Sequence, residues 1–230
     1  MVVITNIQND KFRSSEYSNF CIDSWKRYCD KWNIPIKILT EDKYLHPKFA
    51  YLSVFEEVDS EKVIFVDVDT IINPNSPNLL EVFDDELTVV RDYGNLDYII
   101  SKNMSQAIDE FEKSFPQIID KSKFFNSGVM MFNKKHKSFL NECKTWVEKN
   151  FKDIFDWSLN RGRGLDQVPF NWFVQKNNIK TKFLDTRFNR LGLIKKDLNP
   201  HDYFIIHFRG PKTKRKIEKM NDIYKIWFDE

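Results

Sequence analysis

Glycine and proline are scarce in this chain, six and eight of its 230 residues. That scarcity argues against flexible linkers and low-complexity tails, and one domain over residues 1–230 is expected. Cysteine occurs three times, as Cys21, Cys29 and Cys143, with no CxxC pair. An odd count without that spacing speaks against a disulfide framework or a cysteine zinc site, and reduced thiols fit a cytoplasmic protein. Neither sign of charge dominates, since 36 basic and 34 acidic side chains leave a net charge of +2. No general nucleic-acid binding is expected from that balance; only PKTKRKIEK, residues 211–219, is locally basic. Long apolar runs are also missing. The opening MVVITNIQNDKF turns polar too early for a signal peptide, and no stretch approaches a transmembrane span. TNIQNDKF contains no glycine, which speaks against the phosphate-cradling loop of a nucleotidylyltransferase.

What the chain has in quantity is apolar and aromatic material, 41% hydrophobic and 15% aromatic, with 21 phenylalanines and six tryptophans. A sizeable core follows. Val2 to Thr5, Pro35 to Leu39 and Val63 to Val66 read as strands, separated by helical spacing from Tyr17 to Trp32 and from Phe49 to Val58. Strand, helix, strand, helix, strand predicts an α/β fold with a mainly parallel sheet flanked by helices. Further strands are expected at Thr88 to Arg91, Tyr98 to Ser101, Phe125 to Phe132, Ile179 to Leu184 and Tyr203 to Phe208. Helices are expected at Met104 to Phe115, Phe139 to Phe151, Leu165 to Lys176 and Ile217 to Phe228.

The chemistry concentrates where the third strand ends. KVIFVDVDTIINPNSP drives an apolar run into Asp67, Val68 and Asp69. Burying a bare carboxylate is costly unless a cation or donor meets it. In an extended segment residues i and i+2 point the same way, so the two carboxylates would form a hard oxygen site for Mg²⁺ or Mn²⁺. Ligands of open α/β sheets bind outside the carboxyl ends of the strands, where these residues fall. The plainer reading is a strand end whose aspartates cap a loop. Four other segments carry candidates, each with a plainer alternative. FFNSGVMMFN places Asn126, Ser127 and Gly128 at an apolar strand, where glycine admits close approach of a ligand or simply makes a turn. GLDQVPFNWF puts Asp166 and Gln167 at a helix start, facing a sugar hydroxyl or capping the helix. IIHFRGPKTK offers His207 as a third metal ligand, with Gly210 and Lys212 placed for phosphate oxygens; a structural histidine is the alternative. Lys48, ahead of the helix that feeds the DVD strand, reaches a phosphate or stays in solvent.

Together these segments resemble the metal-dependent GT-A glycosyltransferases, most closely the glycogenin-like and galactosyltransferase-like family 8. That family's pattern is a strand ending in DxD, then FNxG and an apolar run, a DQ helix, and HFxGxxK. Here FVDVDTII, FNSGVMMFN, LDQVPFN and HFRGPK stand in the same order from Asp67 to Lys212, with Lys212 one place before the last pattern's lysine. The resemblance implies a GT-A fold and transfer of a hexosyl group, with retention, from a nucleotide diphosphate sugar to a glycan or protein hydroxyl, UDP being the expected nucleotide. It implies Mn²⁺ (or Mg²⁺) held by Asp67, Asp69 and His207, with Asp69 the more direct ligand and Val68 between the two. Gly210 and Lys212 would contact the diphosphate, and Thr5 and Asn6 would lie near the nucleoside. Asn126 and Ser127, with Asp166 and Gln167, would line the sugar pocket. Asp92, in VVRDYGN, occupies the region where the family places a residue on donor-sugar hydroxyls, so Asp92, Asp166 and Gln167 are the expected catalytic set. The chain departs from the pattern in three places. TNIQNDKFRSSEY replaces a TND-Y stretch and leaves Tyr17 as the candidate for stacking on the base. Val68 replaces the frequent alanine, and PKTK replaces KPW. No residue presents itself as a dedicated nucleophile, so retention comes from the resemblance alone.

Two other functions compete. A haloacid-dehalogenase-type phosphatase also uses hhhhDxDxT, but here Thr70 falls one place early and the motif does not open the chain. A non-catalytic sugar-binding module would use the aromatic residues as a carbohydrate face, yet most of them fall at core spacing.

Overall fold

The computed structural model describes residues 1–5, 15–41, 43–83, 85–92, 100–161, 164–191, 199–208 and 214–228, with the side chains of 15–17 and 160–161 excepted. The expected site residues Asn6, Gly210 and Lys212, and the Tyr17 side chain, lie outside that set. The chain opens with β1 (Val2–Thr5), α1 (Ser15–Trp32) and β2 (Ile36–Leu39). A 3₁₀ segment, Pro47–Ser53, runs into a short α2 (Val54–Glu57), then β3 (Lys62–Asp67), β4 (Thr70–Ile72), α3 (Leu79–Val82) and β5 (Leu87–Arg91) follow. The rest is α4 (Lys102–Ser114), β6 (Phe125–Asn133), α5 (Lys137–Arg161), α6 (Gln167–Lys176), β7 (Thr181–Leu184), β8 (Arg190–Leu191), β9 (Ile205–His207) and α7 (Lys214–Phe228).

The main sheet has the order β2-β1-β3-β6-β5-β7. Only β6 runs against its neighbours, so the mainly parallel α/β expectation holds. Its strands are apolar on consecutive positions because both faces are covered. Val3, Phe65, Val89 and Met130 join one hydrophobic cluster with α4, α5 and α6. Their neighbours Val2, Ile4, Ile64, Val66 and Met131 join another with α1 and α3, as two-residue alternation requires. A second, small sheet, β4-β9-β8, carries Ile71 and Ile206 into a third cluster beneath α7. All six tryptophans pack within these clusters, so they contribute none of the aromatic carbohydrate face considered above.

One element is added to those expected, and two expected elements are corrected. Thr70 to Ile72 is a strand although NPNSP follows at once, because it pairs with β9 across the chain, a long-range contact that local pattern does not carry. The strand expected at Tyr98 to Ser101 is not formed by Ile100 and Ser101, since the Ser101 side chain instead caps α4 by accepting from Met104 N at 3.3 Å; Tyr98 and Ile99 lie outside the described residues. The helix from Phe49 begins as a 3₁₀ segment because Pro47 and the His46 side chain set its first turn.

Between β6 and α5 the chain turns on a reciprocal cap. Asn133 N donates to His136 Nδ1 at 3.0 Å, and the Asn133 side chain accepts from Lys135 N at 3.1 Å. Burial, with the nearby Lys135 charge, lowers His136 to about 4. A folded value below the unfolded 6.5 means the unfolded chain binds more protons between those limits, so stability is lost as pH falls through that window. Against a His136→Gln variant, the wild type is expected to lose about 2 kcal/mol between pH 7 and pH 5, read by chemical denaturation at both pH values. A pH-independent difference between the two proteins would contradict this.

Candidate active site

The carboxyl ends of β1, β3 and β5 meet the start of the reversed strand β6 along one edge of the main sheet. Thr5, half-buried, lies opposite Asp67 in the β1–β3 register. On β6, pairing with β5 steps from Val89 opposite Met130 to Val90 opposite Asn126. Asn126, Ser127 and Gly128 are thereby delivered to the edge where β3 ends.

Asp67 is the last extended residue of β3, and Val68 and Asp69 form a turn, which corrects the alternation argument for the paired carboxylates. The turn carries the chain from the main sheet into the small one. Thr70, fully buried, fixes it by donating from Oγ1 to Asp67 O at 2.8 Å and accepting from Trp25 Nε1 at 3.0 Å. In the small sheet Thr70 stands directly opposite His207, and Phe208 N donates to Asp69 O at 2.8 Å. The antiparallel pair therefore sets the imidazole over the turn. One ligating atom from each of Asp67, Asp69 and His207 lies within 4.8 Å of the others. His207 Nε2 is 3.2 Å from Asp69 Oδ1 and 3.8 Å from Asp67 Oδ2.

The charged groups of this cluster act strongly on one another. Burial pushes Asp67 up, with the charges of Asp69 and Asp166 adding to the rise against His207 and Lys48. Its side chain stays 40% exposed, so solvent moderates the effect. Burial also acts upward on Asp69, but His207 and Lys216 hold its carboxyl well below the usual range. Burial acts downward on His207, yet Asp69 and Asp67 outweigh it and raise the ring. Two carboxylates and one imidazole nitrogen form a donor set suited to Mn²⁺ or Mg²⁺.

A polar chain runs away from the cluster. His207 Nδ1 lies 3.1 Å from Asn126 Oδ1, which also accepts from Gly128 N (2.9 Å) and Asn189 Nδ2 (3.0 Å). Facing an acceptor, Nδ1 carries a proton, so that a neutral ring would keep its Nε2 lone pair for a cation held with the aspartates. Asn126 Nδ2 then donates to Gln167 Oε1 at 3.1 Å, and Gln167 Nε2 donates to Asp92 Oδ2 at 2.5 Å. Ser127 Oγ donates to Asp166 Oδ2 at 2.6 Å, and Asp166 makes no side-chain cap of α6, so the capping alternative falls. Asn171, one turn after Gln167, clamps Phe125 through both amide positions, at 2.9 Å each. Lys48 is exposed as its plainer reading required, while its charge acts on Asp67.

The structure thus brings together Asp67, Asp69, His207, Asn126, Ser127, Asp166, Gln167 and Asp92. Sequence reasoning missed Asn189, Asn171 and Lys216. RFNRL gives no signal for Asn189. Asn171 was findable as the polar residue four places after Gln167 on a buried helix. Lys216 was findable by spacing, since it shares the buried stripe of α7 with Met220, Ile223 and Trp227.

The chain belongs to glycosyl transferase family 8, whose family model matches residues 4–214. It is a glycosyltransferase, and the phosphatase alternative falls with that membership. No curated protein matches the chain in sequence. Among solved structures it is similar to a glycosyltransferase involved in the glycosylation of the major capsid of PBCV-1, at 12% identity and a TM-score of 0.57, covering 96% of this chain and 98% of that one. It is also similar to galactosyltransferase LgtC in complex with donor and acceptor sugar analogs, at 15% identity and a TM-score of 0.55, covering 99% and 96%. A third likeness is to glycosyltransferase GlyE in Streptococcus pneumoniae TIGR4, at 14% identity and a TM-score of 0.58; it covers 99% of this chain but 63% of that one. At these identities the likeness is one of fold, the GT-A fold.

Two glycines separate site geometry from backbone strain. A Cβ on Gly128 would lie 2.1 Å from His207 Cε1 and 2.5 Å from Nδ1, so the ring must move. At Gly164 the constraint is the backbone, with φ +74°. Gly128→Ala is expected to weaken Mn²⁺ binding by about tenfold or more, measured by titration calorimetry. Gly164→Ala is expected to cost about 1 kcal/mol of stability or more and leave Mn²⁺ affinity unchanged. Equal Mn²⁺ affinity in wild type and Gly128→Ala would contradict the proposed placement of His207.

Proposed function

We propose that this chain transfers a hexosyl group from a nucleotide diphosphate sugar, UDP-linked in the expected case, to a hydroxyl of a glycan or protein acceptor, with retention at the anomeric carbon. The observation that carries the reading is the convergence of Asp67, Asp69 and His207 at the carboxyl edge of the sheet. Those three residues would hold a divalent ion, which when bound neutralises the negative charge gained by a departing diphosphate.

In the transfer, the bond between the anomeric carbon and the diphosphate oxygen breaks. A bond to the acceptor oxygen forms, and the acceptor proton is released. The sugar approaches an oxocarbenium-like state as the leaving group departs. Asp166 and Gln167 orient the sugar from the start of α6, and Asp92 holds the Gln167 amide in one orientation through their 2.5 Å hydrogen bond. Ser127 places the Asp166 carboxylate in the same way. Lys48 adds positive charge on the Asp67 side; the family pattern assigns Gly210 to the diphosphate, and Lys212, one place before the pattern's lysine, is proposed to join it. Thr5, level with Asp67 at the end of β1, is assigned to the nucleoside by the resemblance, as is Asn6. Retention is supported by family membership alone. The free, buried cysteines suit the reducing cytoplasm. No helix among the described residues is long and apolar enough to cross a membrane.

The test is a panel of UDP-hexoses assayed for transfer and for donor hydrolysis with Mn²⁺, on the wild type and Asp69→Ala. The wild type is expected to turn over at least one donor, and the variant to lose activity by about 10²–10³-fold. Near-normal turnover by Asp69→Ala with Mn²⁺ present would overturn the assignment.

A further inference from the structure

We propose that Lys216 sets the charge of the donor site, holding its affinity for a free divalent cation down and its affinity for a cation-bound nucleoside diphosphate up. The proposal rests on the donor-site reading above and adds a residue outside the matched span, since the match to the family model covers residues 4–214.

Lys216 belongs to the first turns of α7. Its spacing to Met220, Ile223 and Trp227 puts it on the helix face that packs against Ile71, Ile206 and Phe208 of the small sheet. A lysine on that stripe is out of character, because an ammonium group is costly to bury unless a charge meets it. Its side chain is 5% exposed, and its Nζ lies 2.7 Å from Asp69 Oδ2. The other oxygen of the same carboxylate, Oδ1, faces His207 Nε2 at 3.2 Å. One carboxylate thus meets a different nitrogen group on each of its two sides. Lys216 takes Oδ2, and Oδ1 is left directed into the Asp67–His207 cluster.

The charge count gives the consequence. As metal ligands the two aspartates are ionised and His207 is neutral, so Asp67 and Asp69 without Lys216 would present two negative charges, and with it they present one. A dication then leaves the site positive overall, which favours the diphosphate anion. Without Lys216 the same dication would only neutralise the carboxylates. The lysine therefore acts in opposite directions on the two ligands. A tether that merely holds α7 to the sheet would not.

The experiment is calorimetry on wild type, Lys216→Met and Lys216→Gln, first with Mn²⁺ alone and then with UDP and GDP at saturating Mn²⁺. Both variants are expected to bind Mn²⁺ about tenfold more tightly and the nucleoside diphosphate about tenfold more weakly than the wild type. Thermal unfolding with and without Mn²⁺ is run alongside, and a larger Mn²⁺-induced rise in Tm for the variants is expected. Unchanged affinities, or both shifting in the same direction, would overturn the proposal. Variants that stay unfolded with Mn²⁺ present would make the ion pair a fold tether and overturn it equally. A wild type that binds neither Mn²⁺ nor a nucleotide would overturn the donor-site reading itself.

Discussion

The pairing of Thr70 with His207 is the contact on which the site's geometry depends. Thr70 begins the small sheet three residues after Asp67 ends its strand in the main one, and His207 arrives opposite it from the far end of the chain. The pairing puts an imidazole beside two carboxylates that a turn has already folded together. Its parts are buried and mutually constrained. Trp25 holds the Thr70 hydroxyl, that hydroxyl holds the Asp67 carbonyl, and Phe208 holds the Asp69 carbonyl. Polar groups so enclosed need partners, and here each partner also fixes a ligand's direction. Shifting the β4–β9 register by one residue would turn the ring to the opposite face.

From His207 the constraint spreads through amides of alternating polarity. The ring proton faces Asn126, the Asn126 amide faces Gln167, and the Gln167 amide faces Asp92. Each donor–acceptor assignment follows from the one before it, because a carboxylate at one end can only accept. The same chain joins the proposed cation ligands to the proposed sugar-binding residues, so that a change at one end reorients groups at the other. Gly128 belongs to this arrangement by default, since any side chain there would occupy the space of the His207 ring.

Much of this was legible in the sequence, and the remainder was hidden for definite reasons. The central strands announced themselves because strands covered on both faces are apolar throughout. DVD, FNSG, LDQ and His207 stood out because polar groups at the ends of such strands need a purpose. The small sheet did not stand out. Thr70–Ile72 and Arg190–Leu191 are two or three residues long and exist through long-range pairing. Asn189 is likewise placed by topology alone. Lys216 shows a different failure. Within PKTKRKIEK it looks like one solvated charge among many, and only its register with Met220, Ile223 and Trp227 separates it from its neighbours. The turn at Asp67–Asp69 gave a right pairing for a wrong reason, since the carboxylates converge through a bend and not through strand alternation.

The central claim is that Asp67, Asp69 and His207 form a cation-dependent site for a nucleoside diphosphate. Titration calorimetry of UDP, and then GDP, with and without Mn²⁺ tests it most directly. One of the two nucleotides is expected to bind in the presence of Mn²⁺ and to lose that binding when the ion is chelated. Equal binding with and without the ion, or no binding of either nucleotide under any condition, would contradict the account.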